Sequence, residues 1–284
     1  MAFLGLAGAL SVLITVGIVF ALLVPALAFF GEVSVWDFLT GTRWAPTFAN
    51  ADFGVLPLIT GTFCTTVIGL AIAVPFGLGA AIYLAEYADP RVRKIVKPVL
   101  EVLAGIPSVV YGYFALTFVA PVLLSRILSI DVGTYSVLAA GLVLGVMIIP
   151  TVASLSEDAM SAVPQSLRHG SLALGANKMR TTLRVVFPAA ISGIAASIVL
   201  ALSRAVGETM IVALAAGTRA QIVTHPTSNG QTMTGFIAQT ATGESTPGTL
   251  TYNTLFAVGL LLFAITLVIN IISIRLVRRF REAY

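Results

Sequence analysis

The chain has 284 residues, of which 58% are hydrophobic and only 10% charged, with a mean hydropathy of +1.01. Soluble domains carry about 25% charged residues, so this composition excludes a water-soluble fold; after the bilayer crossings it demands, no length remains for a nucleotide-binding domain. The net charge of +4 and pI near 9.5 would suit a nucleic-acid surface only if the basic residues clustered, and that depends on topology.

Apolar runs lie at approximately 3–30, 55–85, 99–124, 133–155, 190–217 and 253–274. Each is long enough to cross ~30 Å of hydrocarbon at ~1.5 Å per residue. Backbone polar groups cannot go unpaired in lipid, and the runs lack the alternation of barrel strands. The expected fold class is therefore all-α, a polytopic membrane bundle of about six transmembrane helices. No basic residue precedes the first run, and its uncharged length exceeds the apolar core of a signal peptide, so it is expected to stay as a span despite the small residues around Pro25–Ala28. The loop after it, 31–54, carries Trp36, Trp44, Pro46 and Phe53, which suit an interfacial aromatic anchor. Cys64, the single cysteine, lies in the second run and excludes an intrachain disulfide.

The third run opens with Leu103–Gly112. Pro107 lacks an amide hydrogen and disfavours a straight helix, so a kink or break is expected near Ser108. Such a break either aims amides and a hydroxyl at a pore or adapts the helix to lipid. Between the fourth and fifth runs lie about 35 residues, 156–190, where a helix hairpin needs only a few. Within them, the stretch from Ser166 reads as an amphipathic helix, Gly175 as a left-handed turn, 177–186 as a basic helix, and Pro188 as part of the next span's first turn. Two short angled helices form a knob suited to another protein's groove.

The fifth run contains Arg204, Gly207 and Glu208. Arg204 falls ~21 Å along the span, where an arginine costs roughly 2.5–3.5 kcal/mol and must face the bundle interior or water. Glu208, four residues on, is expected one turn away on the same face. Two readings of the pair are open. It is a structural ion pair, or Arg204 offers a passing oxyanion a bidentate site that Glu208 keeps from binding too tightly. The loop 218–252, rich in Thr, Ser, Gly, Gln and Asn, is either plain solvated chain or a docking surface.

Basic residues settle the orientation. Arg91, Arg93, Lys94, Lys97, Arg168, Lys178, Arg180, Arg184, Arg275, Arg278, Arg279 and Arg281 share one side, against Arg43, Arg126 and Arg219 on the other. This bias places both termini in the cytoplasm and removes the case for nucleic acid. Two isolated histidines, His169 and His225, give no metal site. No interior nucleophile with a base indicates an enzyme, Glu208 alone is thin support for a secondary transporter, and no Gly-x4-Gly-Lys-Ser/Thr loop occurs.

Gly175, nine residues, then Val185-Val186-Phe187-Pro188 resembles the coupling-loop motif of type I ATP-binding-cassette importer permeases, Glu-Ala-Ala, three residues, Gly, nine residues, Ile-x-Leu-Pro. His169-Gly170-Ser171 stand where Glu-Ala-Ala would. The segments Leu103–Gly112, Ser203–Met210, Ile82–Tyr87, Lys97–Glu101 and Trp44-Ala45-Pro46 resemble the permeases of the high-affinity phosphate importer, in particular the one with a long Trp-containing first external loop. The resemblance implies a type I importer permease fold, with 1–54 as first helix and external loop and 55–284 as permease core, coupling loop at about 156–190. It implies that Arg168, His169, Gly170, Ser171, Gly175, Ala176 and Pro188 couple to the ATPase, and that Arg204, Glu208, Ser108, Ser203 and Thr209 line the phosphate path. The implied partners are a sister permease, a cytoplasmic ATPase dimer that uses ATP and Mg, an extracytoplasmic phosphate-binding protein and membrane lipid. The chain itself is expected to bind no cofactor.

Overall fold

The computed structural model describes residues 2–48, 50–243 and 246–279. Its first helix, α1 (Ala2–Glu32), is uncharged until its last residue and lies at the periphery. The short α2 (Val35–Thr40) and a two-stranded hairpin follow, β1 (Trp44–Ala45) pairing antiparallel with β2 (Asp52–Phe53) in the register Trp44 to Phe53. Next come α3 (Leu56–Ile82), prolonged by a π-helical turn Tyr83–Tyr87, and α4 (Pro90–Ala104). Then α5 (Ser108–Phe114) runs on as π-helix Ala115–Ile127, and α6 spans Val137–Ser161. The loop after α6 holds α7 (Gln165–Ala173), α8 (Lys178–Thr181), a π turn Thr182–Val186 and α9 (Phe187–Ala189). The remainder is α10 (Ile191–Val206), α11 (Met210–Ala215), α12 (Met233–Thr242) and α13 (Leu250–Arg279).

Among the described residues, five helices are long and apolar enough to cross a bilayer: Leu4–Glu32, Leu56–Tyr87, Ser108–Ile127, Val137–Ser161 and Leu250–Arg275. The bent pair Lys178–Ala189 and Ile191–Val206, 69° apart, brings the count to six when taken as one span. Arg281, counted among the C-terminal basic residues, lies outside the described residues.

The centre is the pairing of α3 with α6, and small residues set its spacing. A Cβ on Gly145 would stand 2.8 Å from the Gly69 carbonyl, so the two backbones touch where both residues are glycine. Without water to drive apolar association, such close packing is what holds helices together in lipid. Around this pair α5, α10 and α11 complete one buried cluster that includes Leu144, Met147, Ile148 and Ile211. Hydroxyls add interhelical bonds, such as Ser156 to Ser197 at 2.7 Å between α6 and α10. α1 packs on α13 and stays outside this core.

Four expectations need correction. The third span does not begin at 99: α4 is a separate amphipathic helix that ends at Ala104 with Gly105 as its cap, and Pro107, extended at φ −58° and ψ 134°, caps a new helix that starts at Ser108. The fifth span is not continuous, because α10 stops at Val206 and α11 starts at Met210. Trp44 and Phe53 are not interfacial anchors: edge-to-face contacts run from Phe29 to Phe53, and from Phe38 through Trp44 to Phe236, in a buried cluster that clamps the hairpin onto α12. Trp36, by contrast, is 73% exposed. The polar segment 218–252 is not plain loop, since it contains α12, begun by Thr232, whose hydroxyl accepts the Gly235 amide at 3.0 Å, and buried through Met233 and Phe236.

Candidate functional site

The break between α10 and α11 is the first site, and its charges follow from helix ends. Arg204 sits in the last turn of α10, where exposed carbonyls favour a cation; Glu208 lies just before α11, whose free amides favour an anion. Glu208 Oε1 accepts the amides of Met210 at 3.0 Å and Ile211 at 3.3 Å. Its own amide turns back to the Ala205 carbonyl at 3.3 Å, a tightened final turn, and its carbonyl accepts the Thr234 hydroxyl of α12. Arg204 instead donates through Nη1 to Thr151 Oγ1 on α6 at 3.3 Å. The two charges thus serve two different helix ends, and among the ion pairs of the described residues they do not pair with each other. The same-face expectation is corrected: Gly207 and Thr209 form a break rather than a continuous turn.

The other expected path residues are placed unevenly. Ser108 starts α5, half-buried, and Gly112 brings that helix against the start of α11, where a Cβ would meet the Met210 carbonyl at 3.0 Å. Thr209 follows Glu208 in the break and donates to the Gly207 carbonyl at 3.3 Å. Ser203 points elsewhere, donating to Asn270 Oδ1 of α13 at 2.8 Å as a helix-to-helix link. Two further polar residues, Thr151 and Asn270, belong to the site; each is a single polar group within an apolar run, and only its partner across the bundle, Arg204 or Ser203, distinguishes it.

The second site is the knob of α7, α8 and α9. Gly175 has φ +83° and open space around it, as the turn between two helices requires. Asn177 caps α8 by accepting the Arg180 amide at 2.8 Å. Ser171 and Thr181 share a hydrogen bond of 2.9 Å that fixes the angle between α7 and the following helix. His169, Gly170 and Pro188 are exposed, Ala176 is half-buried, and Leu174 stands 91% exposed at the tip. Pro188 precedes the 69° bend at Ala190 rather than sitting on the straight span. Arg168 differs from its neighbours, being buried and turned inward. Its Nε and Nη2 donate to Glu86 Oε1 at 3.1 and 2.9 Å, and Nη2 also reaches the Met160 carbonyl at 2.8 Å. It ties the knob to the ends of α3 and α6 and presents nothing to a partner.

Beside it, Glu157 of α6, with a fully buried side chain, receives Lys97 Nζ at 2.7 Å and the Ser161 hydroxyl at 2.9 Å and pairs with Arg93. Lys97 also bonds Asp158. Desolvation lowers the Lys97 pKa, but the hydrogen bonds to Asp158 and Glu157 outweigh it, so the pKa lies above the ordinary lysine value. This cluster fastens α4 to α6 beside the knob.

Residues 73–282 match the family described as "Binding-protein-dependent transport system inner membrane component". The chain belongs to this family. Among relatives of the permease, a "Probable ABC transporter permease protein YqgH" of Bacillus subtilis (strain 168) is 40% identical over 87% of this chain and 77% of its own. The "Phosphate transport system permease protein PstC 1" of Mycobacterium tuberculosis (strain ATCC 25618 / H37Rv) is 36% identical over 85% of this chain and 81% of its own. Among solved structures, a bacterial ABC transporter involved in the import of the acidic polysaccharide alginate matches the fold with a TM-score of 0.61 at 17% identity, over 93% of this chain and 96% of that one. The permease is thus a multi-pass membrane subunit of PstC type with the type I ABC importer fold.

Proposed function

We propose that this permease carries inorganic phosphate into the cell as one half of a two-permease channel, driven by a separate ATPase. The carrying observation is an arginine inside the membrane at a helix break, in a chain about one-third identical to phosphate-system permeases over most of its length. A guanidinium fork matches a phosphate oxyanion. Held by Thr151 rather than by Glu208, the Arg204 fork keeps donors for a passing ion. Glu208 has one carboxylate oxygen beyond the two capping bonds; it can accept a hydrogen bond from the protonated oxygen of hydrogen phosphate and repels fully deprotonated sulfate. Ser108 and Thr209 supply hydroxyls near the same break, and Ser203 supports it through α13.

The exposed tip of the knob, from His169 and Gly170 to Leu174, Gly175 and Ala176, is the surface offered to a cytoplasmic ATPase dimer, which consumes ATP and Mg. Arg168 carries the motion of that tip into α3 and α6. The twelve-to-three bias of basic residues supports cytoplasmic termini, and an extracytoplasmic binding protein delivers phosphate to the opposite end. The chain performs no hydrolysis in this reading.

The test is phosphate uptake and binding-protein-stimulated ATPase activity in proteoliposomes of the full complex, comparing wild type with Arg204→Gln and Glu208→Gln. Uptake is expected to collapse while assembly and basal ATPase activity persist. Undiminished uptake in Arg204→Gln would remove that residue from the path. Sulfate or molybdate transported as fast as phosphate would replace the substrate with another oxyanion.

A further inference from the structure

The two faces of α4 are not equally covered. Arg93 and Lys97, one turn apart, face α6, where both bond Glu157 and Lys97 also bonds Asp158. On the far face Ile95, Val99 and Val102, spaced by four and three residues, form an aliphatic stripe that is 67%, 50% and 71% exposed. Such a stripe needs an apolar cover. Its position says which. α4 joins the end of one span at Tyr87 to the start of the next at Ser108, on the side of the bundle that carries the knob. An amphipathic helix at the level of two span ends lies at the headgroup boundary with its apolar face toward the acyl chains.

Between α4 and the π-helical turn Tyr83–Tyr87 lies a cavity of about 550 Å³, walled by Leu84 and Ala85 on one side and by the charged edge of α4 on the other. Three cations, Arg93, Lys94 and Lys97, stand there against one acid, Glu101. Arg93 and Lys97 are engaged by Glu157, but Lys94 forms no ion pair among the described residues and is free for an oxyanion. Pro98 lines the cavity as well, and it stands three residues from Ile95 and four from Val102, so it joins the charged edge to the aliphatic stripe. Lacking an amide hydrogen, Pro98 leaves the Lys94 carbonyl without its usual helical partner, to be met by water or a headgroup hydroxyl. Ala85 also walls the groove against the knob, so the π-helical turn separates α4 from the surface offered to the ATPase. The occupant must carry an anion and hydrocarbon side by side. We infer that the cavity seats the phosphate of an anionic phospholipid on Lys94, with the acyl chains passing Pro98 onto Ile95, Val99 and Val102. A zwitterionic lipid brings its own ammonium to three cations and is disfavoured. The site does not depend on which solute the permease carries.

The test places a tryptophan on the stripe with Val102→Trp, in the full complex reconstituted into nanodiscs of phosphatidylcholine and phosphatidylglycerol. One lipid at a time carries brominated acyl chains, which quench tryptophan on contact, and the quenching gained over the complex without the substitution is read. Brominated phosphatidylglycerol is expected to quench with a relative affinity on the order of fivefold over phosphatidylcholine, the share of one lysine at an anionic surface. Adding Lys94→Gln removes the preference while contact with both lipids persists, and Lys94→Arg keeps it. Equal quenching by the two lipids, or a preference that survives Lys94→Gln, would overturn the assignment of the headgroup to this cavity. No quenching by either lipid would show that another subunit covers the stripe, and the proposal falls. Loss of the preference on adding inorganic phosphate at constant ionic strength would give the cavity to the free ion instead of the lipid.

Discussion

Replacing Arg168 by Met separates the knob from the helix ends to which it is tied. The change keeps most of the hydrocarbon stem but removes both bonds to Glu86 Oε1 and the bonds to the Met160 and Val163 carbonyls. Glu86, its side chain only 7% exposed, is left as a buried carboxylate without its cation. Breaking a buried pair from one side costs about 3–5 kcal/mol, because the remaining charge is uncompensated. The cost is local. Arg168 joins α7 to the ends of α3 and α6 and lies outside the α3–α6 core, so the damage is detachment of α7 with the spans intact. At ~1.4 kcal/mol per tenfold, amide hydrogen exchange over 165–173 is expected to accelerate by about two to three decades. Binding-protein-stimulated uptake is lost while unstimulated ATPase activity survives. The double variant Arg168→Met with Glu86→Leu removes both charges and is expected to recover most of the protection, since an apolar replacement of a buried pair is often neutral. Exchange at the wild-type rate in Arg168→Met, or simple addition of the two single changes in the double variant, would show that the two residues do not share one interaction.

Glu157→Gln leaves Arg93 and Lys97 facing a neutral amide, and the complex is expected to lose about 3 kcal/mol of stability around α4, read as a lower Tm and faster proteolysis between α4 and α5. The pKa of Lys97 is raised, so its contribution is fully present below the unfolded value near 10.4 and is lost only as pH rises through the higher folded value. The Tm gap between wild type and Lys97→Met should therefore stay constant from pH 7 to about 9.5, and a gap that closes within that range refutes the assignment. Gly145→Val places a side chain against the Gly69 backbone; overpacking of about 1–3 kcal/mol should lower the Tm of the detergent-solubilised complex, with a smaller loss for Gly145→Ala. Gly175→Val meets no neighbour but forces a β-branched residue to φ +83°, about 1–2 kcal/mol of local strain, so transport per ATP should fall while the Tm is unchanged.

The spans were legible because hydrocarbon demands long apolar helices, and the knob because Gly175 and Pro188 carry backbone constraints that survive any context. The break at Pro107 was legible for the same reason. The break at Gly207 was not. Nothing in Arg204–Glu208 forbids a helix, and its cause is tertiary: Thr234 of α12 takes the Glu208 carbonyl while the Glu208 side chain takes the α11 amides. α12 itself hid in polar composition, since a helix buried by Met233 and Phe236 can be rich in Thr and Gln elsewhere. The role of Trp44 was misread because the sequence does not say that Phe236, nearly two hundred residues on, will cover it.

The broken span explains why an acid and a base can stand so close in the membrane without neutralising one another. On a continuous helix, Arg204 and Glu208 would share one face and pair at ~0.2–0.5 kcal/mol, more in lipid, and the arginine would have nothing left for an ion. The break gives each charge its own helix end, a carbonyl-rich one for the cation and an amide-rich one for the anion, so each is stabilised where it stands. Unwound backbone at membrane depth is tolerated only where protein or a water-filled cavity surrounds it. α12 covers the break from one end, α5 touches it at Gly112, and Arg204 itself remains exposed on this chain. An exposed arginine at that depth requires either a sister subunit or water opposite it. The two-permease path proposed above would supply both.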